Sequence, residues 1–127
     1  SFDLLFHPVS NCYVREVLPI WRECFRVLSR GGVLLAGLDN GLVYAFNDEE
    51  TALVNILPFD PLANEEHLRI LEAGDDGIQF SHTIEEQIGG QLAAGLRLTD
   101  VYGDTNGTGN LYEHNIPTYW ATRAVKD

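Results

Sequence analysis

Apolar positions along the chain follow two kinds of spacing. "FDLLFH" (2–7) is a short apolar run and predicts a buried strand. "PVSNCY" (8–13) is rich in turn formers. The spacing then becomes helical: Leu18, Trp21, Phe25 and Leu28 recur at i, i+3, i+7 and i+10, one apolar stripe, with Arg15, Arg22, Glu23 and Arg26 left for the solvated side. Pro19 suits only a first turn, so the regular helix is expected to begin near it. Gly31 fits the left-handed residue that ends a helix, and "VLLAG" (33–37) reads as a second buried strand. Strand, helix, strand is a βαβ unit with a right-handed crossover.

Residues 40–80 change character, with "NDEE" (47–50), prolines and scattered apolar residues. "NEEHLRILEAGDDG" (64–77) predicts a short helix capped by Asn64, with Glu65 and Glu66 in its first turn, Gly74 as its stop and His67 exposed. This stretch is too long for a connection and too apolar for a linker. It is expected to be an insertion, within a single domain spanning 1–127, packed over one end of the sheet. Helical spacing returns in "SHTIEEQIGGQLAAG" (81–95). Ser81 or Thr83 is expected to cap the helix, with Glu86 three residues after Thr83 in a capping-box arrangement, His82 belongs to the cap, Ile84, Ile88 (or Gln87) and Leu92 form the apolar face, and Gly95 is the end. "LRLTDVYGD" (96–104) alternates as a strand, "TNGTGNLYEHNIP" (105–117) is a turn-rich loop, and "TYWATRAVK" (118–126) is a last strand. With no helix between them, the last two strands should pair as an antiparallel hairpin. Trp21, Phe25 and Trp120 are expected in the core.

Composition narrows the function classes. Nineteen acidic residues against 8 basic give a net charge of −11, which disfavours nucleic acid and anionic membranes as partners. No run approaches the roughly 20 apolar residues that span a bilayer. Cys12 and Cys24 are too few for a disulfide framework or a zinc site of their own, and they suit a reducing, cytoplasmic setting. His7, His67, His82 and His114 show no metal-ligand spacing, and Asp75-Asp76-Gly77 lacks the other ligands of a calcium loop. The chain contains no methionine, so Ser1 is expected to be a processed or cut end, and a strand-like run starting at Phe2 predicts a cut inside a larger domain.

The order of these segments resembles the C-terminal half of a class I S-adenosylmethionine-dependent methyltransferase, strand four to strand seven. "FDLLFHPVSN" is similar to the family's fourth strand and the loop after it. "VLPIWRECFRVLSRGGVLLAG" resembles its helix, its "vLkpGG" turn and its fifth strand, although "LSRGG" lacks the usual Lys-Pro. "TIEEQIGGQLAAGLRLTDVYGD" resembles the helix, the "aGf" turn and strand six, and "YWATRAVK" the closing strand seven. Everything but 40–80 is covered. The resemblance implies an α/β fold: half of a Rossmann-like sheet, parallel strands ending in an antiparallel hairpin, with a helical insertion. It also implies S-adenosylmethionine as cofactor of a longer parent enzyme. The glycine-rich loop and the acidic residue that hold this cofactor in the family are missing, since no G-x-G-x-G stretch occurs and "GTGN" (107–110) lies in the hairpin loop. The chain alone is therefore expected to bind the cofactor weakly or not at all, and to be inactive.

In this family the loop after strand four lies next to the reacting methyl group, which nominates His7 and Pro8 beside the cofactor, with Ser10, Asn11 and Tyr13 toward the substrate. Asp39 and Asn40 end strand five, and Tyr112 and His114 stand on the hairpin loop, so the same face gathers them. Methyl transfer is an in-line displacement in which positioning contributes up to about 7–11 kcal/mol. His7 is the candidate base, because histidine titrates near neutrality. Each nominee has a plainer reading: a strand-end hydrogen bond for His7, turns for Asn11 and Asp39-Asn40-Gly41. The partner expected is a small molecule. Two other functions fit the same residues: a non-catalytic α/β binding or regulatory module, and another Rossmann-like enzyme such as a short reductase, which would also need the absent glycine loop. A cut before strand four exposes a sheet edge. The expected result is self-association through that edge, or cover from the insertion.

Overall fold

In the computed structural model, which describes residues 1–74 and 77–127, the opening apolar run is strand β1, Phe2–His7. It pairs in parallel with strand β2, Leu28–Asp39, placing Leu4 opposite Val33 and His7 opposite Ala36. Helix α1, Leu18–Val27, makes the crossover and carries Pro19 in its first turn, where the missing N–H costs nothing. Two short helices, α2 (Leu42–Ala45) and α3 (Glu65–Glu72), belong to the 40–80 segment. Asn64 caps α3 as its sequence predicts, its side chain accepting from the backbone of Glu66 and His67. A π-helical turn, Glu85–Gly89, runs into α4, Gly90–Ala93. Strands β3, Arg97–Asp104, and β4, Tyr119–Val125, pair antiparallel as expected, and a short helix α5, Gly109–Glu113, sits in the loop between them. The last strand inserts beside β2, so the sheet order is β1-β2-β4-β3.

One face of this sheet is covered. Leu34, Ala36 and Leu38 of β2 and Ala124 of β4 point toward α1, where Trp21 is fully buried and Val17 nearly so. Gly90 makes the close approach possible: a Cβ there would stand 2.7 Å from Trp21 Cδ1. Trp21 Nε1 donates to the Glu86 carbonyl at 3.0 Å, which ties α1 to the helical turn below it. The opposite face carries Phe2, Leu4 and Phe6, exposed by 55, 58 and 73%, with Leu35 beside them.

Four local expectations are corrected. Helix α1 stops at Val27, not at Gly31, because Leu28 turns extended and drops into the core. Its C-terminal cap comes from the far end of the chain: Lys126 Nζ donates to the Phe25 carbonyl at 2.8 Å and lies over the Phe25 ring. Gly31 does have a positive φ, but within a detour of β2 whose Gly32 carbonyl accepts from Lys126 N.

The apolar face predicted for 81–95 holds only at its middle, where Ile88 packs against the core. Ile84 and Leu92 are each 52% exposed, whereas Gln87 and Gln91 are fully buried. Thr83 and Glu86 do form the expected reciprocal cap, but the π-helical turn shifts the phase of everything after it. His67 is buried rather than exposed, stacked on Phe59 at 4.4 Å, its Nδ1 accepting from Asp60 N. His82 is likewise buried and is no helix cap: Nε2 donates to the carbonyls of Asn11 and Val14, and Nδ1 meets Glu86. Of the calcium-loop residues tested by sequence, Asp75 and Asp76 lie outside the described residues. Among the described residues both cysteines are free, and no helix is long and apolar enough to cross a membrane.

Candidate active site

The register of the strands builds the floor of a cleft. Asp39, the last residue of β2, lies opposite Tyr119 of β4, which lies opposite Asp104 of β3. These three share one row on the face away from α1. The neighbouring row is Gly37, Ala121 and Tyr102. The 40–80 segment forms the far wall, so the cleft, about 1070 Å³, lies between it and the end of the sheet. Tyr44 stacks on Phe59 at 5.3 Å, and its hydroxyl donates to Gln79 Oε1 at 2.8 Å. Cys12 and Tyr13 close the side nearest β1.

Asp39 is the unusual group in this cleft. It is 3% exposed. Oδ1 accepts from Gly41 N at 3.1 Å, which is the turn that sequence anticipates, but Oδ2 has no hydrogen-bond partner. Burial pushes its carboxyl above the usual carboxylate range, opposed in part by the hydrogen bond from Gly41 N and then by the nearby His82. Burial and the Asp39 charge also raise the Cys12 thiol, and burial followed by Asp39 raises the Tyr44 hydroxyl. Asn55 Oδ1, on the same cleft, is a second buried acceptor without a donor.

A second group of polar side chains sits under the floor, on the α1 side. Gln87 Nε2 donates to the Asp39 carbonyl at 3.4 Å. That orientation leaves Gln87 Oε1 to accept from Asn11 Nδ2 at 2.7 Å, and Asn11 Oδ1 then faces His7 Nε2 at 2.8 Å. A chain of amides anchored on a main-chain carbonyl has only one consistent polarity. It makes His7 Nε2 the donor to Asn11 Oδ1. The His7 ring meets Trp21 edge-on, its centroid at 5.4 Å, which holds its plane.

Of the residues nominated by sequence, Tyr13 and Asp39 line the cleft, and His7 and Asn11 are joined beneath it. Ser10 Oγ donates to the Pro8 carbonyl and closes the exposed turn after β1. Asn40 works as a turn, its side chain bonded to Leu42 N and the Pro117 carbonyl. Tyr112 and His114 do not line the cleft, and His114 folds back on the Asn110 carbonyl. Sequence reasoning missed Cys12, Tyr44, Gln79 and Gln87. Only Gln87 left a signal, since Gln87 and Gln91 stand one helical turn apart as a polar stripe. The rim has its own tie: Glu50, at a positive φ of 56°, accepts from Leu111 N and Asn106 Nδ2 through its carboxylate and from Asn110 Nδ2 through its carbonyl.

Comparison with known proteins now adds to this geometry. No family model matches the chain. The chain is 38% identical over 133 residues to the uncharacterized methyltransferase YbaJ of Bacillus subtilis (strain 168), with 99% of this chain and 51% of that protein covered. An S-adenosylmethionine-dependent methyltransferase from Mesorhizobium loti superposes with a TM-score of 0.69 at 16% identity, covering 99% of this chain and 62% of that one. The chain has the methyltransferase fold. Its strands correspond to the C-terminal half of that fold, and a Methanosarcina mazei S-adenosylmethionine-dependent methyltransferase agrees at a TM-score of 0.60 and 14% identity, over 99% of this chain and 59% of that one. The chain thus spans about half the length of the curated methyltransferase it matches.

How far these residues fit the methyltransferase cofactor can be judged from the loop after β1. Its carbonyls are already engaged within the protein: Cys12 accepts from Phe80 N at 2.7 Å, and Asn11 and Val14 accept from His82. Pro8 offers no N–H at all. The carbonyls of Asn11, Cys12 and Val14 are thus not free for a ligand, and no glycine-rich phosphate or carboxylate cradle accompanies the loop in the sequence.

Proposed function

We propose that this chain is the acceptor side of a cytoplasmic S-adenosylmethionine-dependent methyltransferase, that its acceptor is a small molecule, and that the chain alone is inactive. The observation that carries the reading is the cleft at the carboxyl end of β2, in a sheet ordered as in methyltransferases. Ligands of open α/β sheets lie outside the carboxyl ends of strands. The acidic balance of the chain favours a small acceptor over RNA.

S-adenosylmethionine, when bound, supplies a methyl group on a positively charged sulfur. The residues of this chain prepare the other reactant. Cys12 and Tyr13 of the loop after β1 bound the acceptor, and the amide chain from Gln87 through Asn11 holds the His7 ring. His7 is the candidate base for an acceptor atom held at the end of β1, beside the cleft and not within it, since its ring lies on the α1 side against Trp21. Gln87 and Asn11 are positioning residues.

The test is calorimetric titration of S-adenosylmethionine into this chain and into a protein extended upstream by on the order of 100 residues, one small domain's worth. Binding by the extended protein alone is the expected result. If neither binds, the non-catalytic module is the better reading. Tight binding by this chain alone would mean that the cofactor site lies within it.

A further inference from the structure

We propose that the cleft recognises a small organic cation bearing N–H donors, an ammonium or amidinium group, with Asp39 as its counter-ion. This names the substrate class of the site proposed above and rests on that reading only for what is then done to the ligand.

The cleft is defined first by what its walls lack. Among the described residues that line it there is no Lys, Arg or His. Three carboxylates do line it, Asp39, Asp48 and Asp104. Carboxylates on a surface are ordinarily solvated, and Asp48 and Asp104 are exposed. Asp39 differs. It is held at 3% exposure with one oxygen committed to Gly41 N and the other without a donor. A buried acceptor left unpaired is costly, and a buried carboxylate more so. The second unpaired acceptor of the cleft, Asn55 Oδ1, asks for the same thing. A ligand that satisfies both must bring hydrogen-bond donors, and one that also neutralises Asp39 must bring positive charge. The rest of the wall agrees: Tyr13, Tyr44, Phe59, Tyr102 and Tyr119 present aromatic rings, which attract cations and exclude anions of similar size. His82, buried beneath and bonded to two carbonyls and Glu86, is committed elsewhere and does not supply the missing donor.

Three probes of one shape separate the possibilities: 2-phenylethylamine, 2-phenylethanol and 3-phenylpropanoate, each titrated calorimetrically into the upstream-extended protein. The amine is expected to bind about tenfold or more tightly than the alcohol, the ratio one charge-assisted hydrogen bond provides, and the acid weakest of the three. Asp39→Asn is expected to remove that tenfold preference and leave the alcohol unchanged. Should this variant fail to fold, the native protein still decides. Raising the ionic strength about tenfold should weaken the amine several-fold and spare the alcohol. Equal binding of amine and alcohol, or a salt-insensitive amine, overturns the proposal. S-adenosylhomocysteine titrated into the same protein separates the two readings. If it binds while the amine shows no preference, the cation site alone is wrong. If the amine is preferred and S-adenosylhomocysteine does not bind, the methyltransferase reading alone is wrong.

Discussion

The two faces of the sheet are made from the same kind of strand and meet different fates. On one, Leu34, Ala36, Leu38 and Ala124 pack against Trp21. On the other, Phe2, Leu4 and Phe6 stand in the open within the same strands or their neighbours. A strand with one wet face alternates apolar with polar. β2 instead is apolar on both sides, with Leu34, Ala36 and Leu38 on one and Val33 and Leu35 on the other, the composition of parallel strands that are covered twice. Apolar residues on both faces therefore report the cover a sheet is built for, while contacts report the cover it has. The self-association expected of this chain runs through the exposed edge of β1, the strand that carries Phe2, Leu4 and Phe6.

Three substitutions sharpen this contrast. Trp21→Ala on the covered face should cost about 3–5 kcal/mol, read by chemical denaturation, because it removes a large fully buried ring. A loss below about 1 kcal/mol would mean the face is loosely packed. Gly90→Val should cost about 1–3 kcal/mol by overpacking, since its first added carbon already falls 2.7 Å from Trp21. Phe6→Ser on the open face should change stability by no more than about 0.5 kcal/mol. It should instead shift sedimentation toward monomer, as expected if this chain self-associates there. A monomeric parent sequence at high concentration would break that half of the comparison.

What could be read from sequence was what local chemistry decides. The Asn64 cap, the Thr83–Glu86 box and Pro19 in a first turn each depend on residues within a few positions. The misreadings have remote causes. Helix α1 is capped by Lys126, 101 positions beyond the carbonyl it binds. His67 is buried because Phe59 stacks on it, and Gln87 is inward because a π-helical turn rotates the helix. The candidate site divides along the same line. His7, Asn11 and Asp39 could be nominated by their place at strand ends, whereas the amide chain that orients His7 needs Gln87, 76 positions from Asn11. No spacing rule reaches that far.

Glu50 has a consequence for how the cleft opens. Its hydrogen bonds to Asn106, Asn110 and Leu111 fasten the turn at 47–55 to the loop between β3 and β4, two segments far apart in sequence. Rims joined in this way share their mechanics. Anything that pushes the β3–β4 loop outward pulls the 47–55 turn with it, so the mouth of the cleft yields as a single hinged piece and not as two independent flaps.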